Sequence, residues 1–168
     1  MIQRGLIAVL ILACIALFAA MGMISWLHLM PGGEPILDAR AGGYDAEAVA
    51  RYFTALGPQG VAKYAGPLQA LDTVFPALLV VTLALILLRT SRYWPHWSKL
   101  LFLLAPAGYG VMDYAENMLI SDLLMGWQTP PDTATVDLAS RFTVTKYVLL
   151  GATGLIWLGL MALRKRGR

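Results

Sequence analysis

The chain has 168 residues, 58% hydrophobic and only 14% charged, with a net charge of +3 and a mean hydropathy of +0.65. Soluble domains run about 45–50% apolar and about 25% charged, so this composition cannot coat a water-exposed globule and predicts an integral membrane protein. No basic, aromatic-interleaved segment points to a nucleic-acid partner. The single cysteine, Cys14, excludes an intramolecular disulfide, a CxxC redox pair and a thiolate zinc site.

A helix needs roughly 20 apolar residues to cross about 30 Å of hydrocarbon. Four segments qualify, at about residues 5–29, 67–88, 100–127 and 142–163. The fold class expected is therefore an all-α integral membrane protein, a single four-transmembrane-helix bundle over residues 1–168. Arg4 and Phe18-Ala19-Ala20 give the first segment the outline of a cleavable signal. Its apolar run continues through Met21-Gly22-Met23-Ile24, longer than a signal core, and predicts a retained span.

In the first long loop, Val49, Tyr52, Phe53 and Leu56 fall at i, i+3, i+4 and i+7, which predicts a short amphipathic helix over 45–56. Asp45 can cap it, Glu47 and Arg51 can pair at i,i+4, and Gly57-Pro58 ends it. Such a helix either packs its apolar face on the bundle or membrane surface, or forms a lid over an opening between the helices. His28, at the outer end of span one, is an interfacial polar residue beside Trp26, with a ligand or proton-carrier role as the alternative.

Orientation follows from charge. Arg4, Arg89, Arg92, Lys99, Arg164, Lys165, Arg166 and Arg168 lie in the N-terminus, the loop after span two and the C-terminal tail, and those segments hold no acidic residue. The positive-inside rule then makes both termini cytoplasmic, in a bacterial inner membrane. The basic tail is a topology anchor, or alternatively an anionic-lipid or partner site. Tyr93, Trp94 and Trp97 on the inside and Trp26 and Trp127 on the outside suit interfacial aromatic belts.

Charged side chains at membrane depth cost about 2.5–3.5 kcal/mol each on insertion scales, so they face the bundle interior and pair. Asp72 and Lys146 each sit roughly 8 Å below the outer end of their predicted span, at 1.5 Å per residue. Asp113, Glu116 and Asn117 lie about 15–21 Å from Trp127, a difference that narrows to a turn if the residues after Ser121 are interfacial. On span three these three residues share one face at i, i+3 and i+4, and Tyr109 continues it. The site predicted is a cluster of Asp72, Asp113, Glu116, Asn117 and Lys146, with Tyr109, Thr73, Thr143 and Tyr147 as hydrogen-bond partners. Lys146 is the one buried cation available to answer the carboxylates, and at least one carboxyl should stay protonated near neutral pH. A purely structural role, in which polar groups choose helix partners, is the alternative. Pro106, Gly108 and Gly110 allow a kink and close approach in span three, as Pro76 does in span two. Gly151, Gly154 and Gly159 predict close packing of span four.

Asp72-Thr-Val-Phe75-Pro76, Asp113-Tyr-Ala-Glu116-Asn117 and Thr143-Val-Thr-Lys146 resemble the D-x-x-F-P, D-x-x-E-N and T-x-x-K signatures of a set of small bacterial four-span membrane proteins. That resemblance covers the chain from about residue 60 onward and implies the topology and the selected residues, with no activity attached. A topological likeness to the EXPERA group of sterol isomerases and sigma-2-type receptors lies in the long, partly helical first loop and the acidic intramembrane residues. It carries no shared motif, and fold analogy assigns no activity.

The function expected is an outer-leaflet-side intramembrane pocket that binds or converts a lipid-like or isoprenoid-like small molecule. In an enzyme, Asp113 and Glu116 would supply acid and base, and Lys146 would stabilise developing negative charge. Isomerisation, hydration or proton transfer would fit, and none needs a redox cofactor. No cofactor or metal is expected, because carboxylates and Asn without paired histidines suit at best Mg²⁺ or Ca²⁺, and Lys146 would compete. Membrane lipids, a hydrophobic small molecule, and a second copy or another membrane protein are the candidate partners. A non-catalytic subunit or assembly factor, and a proton- or cation-coupled transporter, are the competing functions. Transport is disfavoured by the near absence of polar residues below the cluster, where only Thr82 and Thr153 stand out.

Overall fold

A computed structural model describes residues 2–166, with side chains for residues 5–164; the basic groups of Arg4 and of Lys165 to Arg168 lie outside the described side chains. The described residues are all-helical and contain no strand. Helix α1 spans Ile2–His28, α2 Ala46–Lys63, α3 Gln69–Thr90, α4 His96–Met125 and α5 Thr133–Arg166. Short 3₁₀ turns occupy Pro31–Gly33 and Leu37–Ala39, and a π turn at Tyr64–Leu68 joins α2 to α3. Three helical runs are long and apolar enough to cross a membrane: Gly5–His28, Ala46–Thr90 and Thr133–Arg164. Helix α4 has the length, at 30 residues, but Asp113, Glu116, Asn117 and Asp122 make its outer half less apolar.

The outer loop obeys its local signals with one difference. Asp45 caps α2 by accepting from the Ala48 N–H at 2.7 Å, and Arg51 pairs with Glu47 at 2.7 Å. The chain breaks at Gly57, whose φ of +65° lies in the left-handed region that glycine enters without steric cost. The helix does not end there, however. Pro58 starts a new helical turn, a role its fixed φ and missing N–H suit, and the run continues through the π turn into α3. Residues 58–66, expected outside the second span, are its helical extension. Helix α5 likewise begins at Thr133, well before residue 142. Asp132 caps it through the Thr135 N–H at 2.9 Å and the Thr135 hydroxyl at 2.7 Å, and Asp137 and Arg141 had interrupted the apolar run that set the expected boundary.

Packing is uneven along the molecule. Most of the completely buried apolar side chains, among them Leu29, Leu37, Val49, Tyr52, Leu68, Ile120, Leu124 and Val136, gather at the end of the bundle that carries α2. There α2 lays Val49, Tyr52 and Phe53 on the ends of the long helices, so it is a packed part of the bundle. The Tyr52 hydroxyl donates to the Leu29 carbonyl at 2.8 Å, one of the acceptors left free where α1 ends. Trp127 packs against this same core instead of standing free in an interfacial belt. Towards the other end, by contrast, Leu12 and Ile15 of α1, Leu101 and Leu104 of α4 and Leu155 and Leu158 of α5 are exposed, a surface matched to lipid.

The long helices form a bent row. Helix α4 packs most extensively on α5 and next on α3, and α1 leans chiefly on α3. A Cβ at Gly110 would come within 2.8 Å of Val80 Cγ2, and one at Gly108 within 3.1 Å of Leu149 Cδ1, so both glycines seat α4 against its neighbours. Gly151, Gly154 and Gly159 do not do this for α5. Nothing lies within 4 Å of a Cβ built at any of them, because they sit on the open face of that helix. Pro76 and Pro106 are both buried within their helices.

Candidate functional site

The extended helices explain the depths of the polar residues. At 1.5 Å per residue Asp113 lies about 18 Å from Met125, Lys146 about 20 Å from Thr133 and Asp72 about 21 Å from Pro58. The three charges are therefore level, once each helix is measured from its true outer end.

Helices α4 and α5 bring together most of the predicted cluster. Lys146 Nζ lies 2.9 Å from Asp113 Oδ1 and 2.5 Å from Glu116 Oε2. All three side chains are almost fully buried. Glu116 Oε2 has this ammonium as its charged neighbour but no hydrogen bond of acceptable geometry. Its second oxygen, Oε1, accepts from the Thr143 hydroxyl at 2.5 Å. Asn117 Nδ2 donates to Asp113 Oδ2 at 3.4 Å, and the Asn117 carbonyl accepts from Gln69 Nε2 at 3.1 Å, tying α4 to α3. The i, i+3 spacing of Asp113 and Glu116 thus turns one face of α4 toward the Thr143–Lys146 turn of α5, while Asn117 borders the groove between α4 and α3.

A cavity of about 310 Å³ opens beside this network. Asp72, Tyr109, Asp113, Lys146 and Tyr147 line it, together with apolar side chains that include Phe18, Phe75 and Leu150. Asp72 is 7% exposed and forms no ion pair among the described residues. Glu116 does not reach the cavity; it stands behind Lys146. Thr73 lies apart from the cluster, because its hydroxyl donates to Gln69 O on its own helix and it lines a separate groove between α3 and α4. Tyr147 donates to the Asp38 carbonyl at 3.1 Å. His28 is on the surface, its Nδ1 accepting from Lys63 Nζ at 3.0 Å.

Several site residues escape a sequence reading. Asp38, in the irregular segment after α1, lines the cavity and is buried. Its Oδ1 accepts from the Tyr64 hydroxyl at 3.3 Å. Pro35, Ile36, Asp38 and Ala39 roof the cavity, and Arg40 holds that roof through Pro35 O at 3.0 Å and Glu34 at 3.1 Å. The cover over the opening is thus this segment, and α2 buttresses it from behind. Tyr44 is the other unforeseen residue. Its N–H donates to Ser140 Oγ at 2.8 Å, and its hydroxyl lies 3.4 Å from Thr143 Oγ1. Only the charge at Asp38 directly after Ile36-Leu37 could have drawn attention to this loop, where no periodicity operates.

Burial pushes the Asp38 carboxyl above the ordinary carboxylate range; the Lys146 charge opposes this and the Asp113 carboxylate adds to it. Burial likewise raises the Tyr44 phenol, which stays a neutral hydroxyl able to donate and accept. Among the described residues no group of three or more His, Cys, Asp and Glu side chains is arranged to hold a metal ion. The arrangement is an apolar chamber with carboxyl groups and one ammonium on its wall, able to hold a polar group and to exchange protons with it. No protein-family model, curated protein or solved structure matches the chain.

Two outcomes follow from this geometry. Lys146→Met leaves Asp113 and Glu116 buried without a cation and should cost about 3–5 kcal/mol of stability. Adding Asp113→Asn and Glu116→Gln should recover most of it in thermal unfolding of the purified protein; no recovery would mean that Lys146 stabilises the bundle by packing alone. The Asp38 carboxyl holds its proton to higher pH in the folded than in the unfolded chain, so the folded state binds more protons and stability falls as pH rises from the ordinary carboxylate range through the raised value. Asp38→Asn removes that slope. The wild type should lose melting temperature relative to this variant as pH rises, and a pH-independent difference would contradict the raised value.

Proposed function

We propose that this chain is a four-span protein of the bacterial inner membrane whose cavity binds, and with bound substrate converts, a lipid-like or isoprenoid-like amphiphile. The observation that carries the reading is the cavity itself. Its volume of about 310 Å³ falls at the lower end of small-molecule sites, about 300–1,000 Å³. Phe18, Met21, Phe75, Leu79 and Leu150 suit a hydrocarbon tail, and Asp72, Asp113 and Lys146 suit a polar or reacting group. Since α1 leans chiefly on α3, entry runs laterally between α1 and α5, from the lipid. Asp113 and Asp72 are placed to exchange protons with an occupant, and Lys146 to stabilise negative charge developing on it. Glu116 acts through Lys146 and Thr143 rather than on the ligand.

Four crossings, with α4 sheltered between α3 and α5, place both termini on one side. The clustered basic residues make that side cytoplasmic, so the cavity and its roof belong to the outer half. A coupled transporter is the weaker reading. Below the cluster the Thr82, Thr153 and Ser91 hydroxyls donate to carbonyls of their own helices, which leaves no polar path inward. The open glycine face of α5 favours a subunit role as a second reading, because small residues let a partner helix approach closely.

Gly22 lines the cavity and has nothing within 4 Å of its would-be Cβ, so Gly22→Leu is the variant chosen to narrow the chamber. Native mass spectrometry of the wild type in lipid nanodiscs should show a retained amphiphile that is depleted in Gly22→Leu and in Asp72→Asn at unchanged melting temperature. Equal occupancy in all three would sink the cavity reading, and a co-purifying protein in place of a small molecule would favour the subunit. For orientation, single cysteines replacing Thr129 or Tyr93 in a Cys14→Ala background can be labelled in spheroplasts with an impermeant maleimide. Position 129 should react and position 93 should not; the reverse pattern would invert the topology.

A further inference from the structure

One ionisable group has no part in holding a ligand. Glu116 is 0% exposed and lies outside the cavity lining, yet a polar chain runs through it from one side of α5 to the other. On the outer surface a hollow of about 510 Å³ is lined by Gly42, Gly43, Tyr44, Ser140, Arg141 and Thr145. From Tyr44 in that hollow, the hydroxyl stands 3.4 Å from Thr143 Oγ1. Thr143, itself fully buried, is 2.5 Å from Glu116 Oε1. Glu116 Oε2 is 2.5 Å from Lys146 Nζ, and Nζ is 2.9 Å from Asp113 Oδ1 on the cavity wall. The chain of contacts is unbroken from the outer hollow to the chamber.

We infer that Tyr44, Thr143 and Glu116 form a proton path between the extracytoplasmic water and the cavity carboxyl groups, with Lys146 handing the proton to Asp113. The inference rests on the reading of the cavity as the functional chamber. It supplies what an amphiphile-filled apolar chamber lacks, a route for protons once ligand and roof exclude water.

The one-proton capacity of a hydroxyl sets the order of transfers. Thr143 donates its single proton to Glu116 and so accepts from Tyr44. When Asp113 needs a proton, Lys146 gives one up and is left as the neutral amine. Tyr44 passes its proton to Thr143, Thr143 passes its own to Glu116 Oε1, and water restores Tyr44. Rotation of the Glu116 carboxyl group then carries that proton to Lys146 Nζ, which leaves Lys146 an ammonium and Glu116 a carboxylate again. One proton moves from water to Asp113, only O–H and N–H bonds change, and the reverse sequence discharges the cavity.

Tyr44 is held for this position by its surroundings. Gly43 has a φ of +84°, and a Cβ there would come within 2.7 Å of Ser140 Oγ, so the loop is seated tightly on α5. The Tyr44 N–H donates to that same Ser140 oxygen at 2.8 Å. Packing alone does not need the Tyr44 hydroxyl, whereas the Thr143 hydroxyl also satisfies the buried Glu116 Oε1, so Tyr44→Phe is the variant that separates the proposal from a structural role.

The test is hydrogen–deuterium exchange of protonated carboxyl groups, followed by the carboxyl C=O infrared band after transfer of full-length protein in nanodiscs to D₂O. The band is assigned to the cavity by its loss in Asp113→Asn or Asp72→Asn. Tyr44→Phe, which keeps the ring, and Thr143→Val, which keeps the shape, should slow exchange by about tenfold or more, a modest share of what a positioned proton donor contributes. Thr143→Ser should exchange at the wild-type rate. Wild-type rates in both Tyr44→Phe and Thr143→Val, each with an unchanged amide spectrum, would overturn the path, as would the absence of any protonated carboxyl band in the wild type. Slowed exchange in a protein that retains no amphiphile would keep the path and reject the ligand reading.

Discussion

A single ammonium, Lys146, is wedged between two almost fully buried carboxylates, and the arrangement of the helices answers to that contact. Charges at this depth are expensive in lipid, and breaking a buried pair strands the survivor. Lys146 can meet Asp113 at 2.9 Å and Glu116 at 2.5 Å only if α4 and α5 lie close along their outer halves. Gly108, set against Leu149, permits this approach. Thr143, one turn before Lys146 on α5, then falls opposite the other oxygen of Glu116. The pairing of these helices is therefore specified by charge and by small residues together, in a region where lipid tails compete evenly with apolar side chains for contact.

Holding that contact is the work of the outer cap. Fully buried apolar side chains come at once from the end of α1, from α2, from the π turn before α3, from α4 and from α5, through Leu29, Tyr52, Leu68, Leu124 and Val136. Here apolar side chains from every helix bury one another and gather the helix ends. The roof over the cavity is anchored in the same cap, through Leu37 in the core and Arg40 over the Tyr52 ring at 5.0 Å. A firm cap and a lipid-facing lower half place the chamber just beneath the part of the molecule best able to keep its shape.

What the sequence makes legible follows from which signals are local. The four long apolar runs, the Asp45 cap, the Glu47–Arg51 pair and the shared face of Asp113, Glu116 and Asn117 all depend on neighbours within about two turns. The cap, the pair and the Asp113–Glu116 face are found in the structure, and three of the helical runs are long and apolar enough to cross a membrane. The level of Asp72, Lys146 and Asp113 was harder to read, because Pro58 and Asp132 begin helices in stretches too polar to register as spans. Asp38 and Tyr44 were illegible for a different reason. They lie in a segment without periodicity, and only folding brings them to residues about 100 positions away, such as Thr143 and Tyr147. Thr73 erred in the opposite direction: it adjoins Asp72 in sequence, and successive helical positions do not share a face.

The polarity of the bundle is asymmetric, and the asymmetry bears on mechanism. Above the Lys146 layer, the hydroxyls of Tyr44, Tyr64 and Tyr147 reach across to other elements. Below it, Thr82, Thr90 and Thr153 turn back onto carbonyls of their own helices, and Cys14 meets Thr82 at 3.5 Å. A transport site must communicate with both faces in turn, and its polar groups would continue in both directions. A chamber that exchanges a ligand with lipid and protons with one aqueous face needs polar groups on that face alone. The distribution of hydroxyls matches the second requirement, which supports the proposal of a one-sided chamber over that of a transport site.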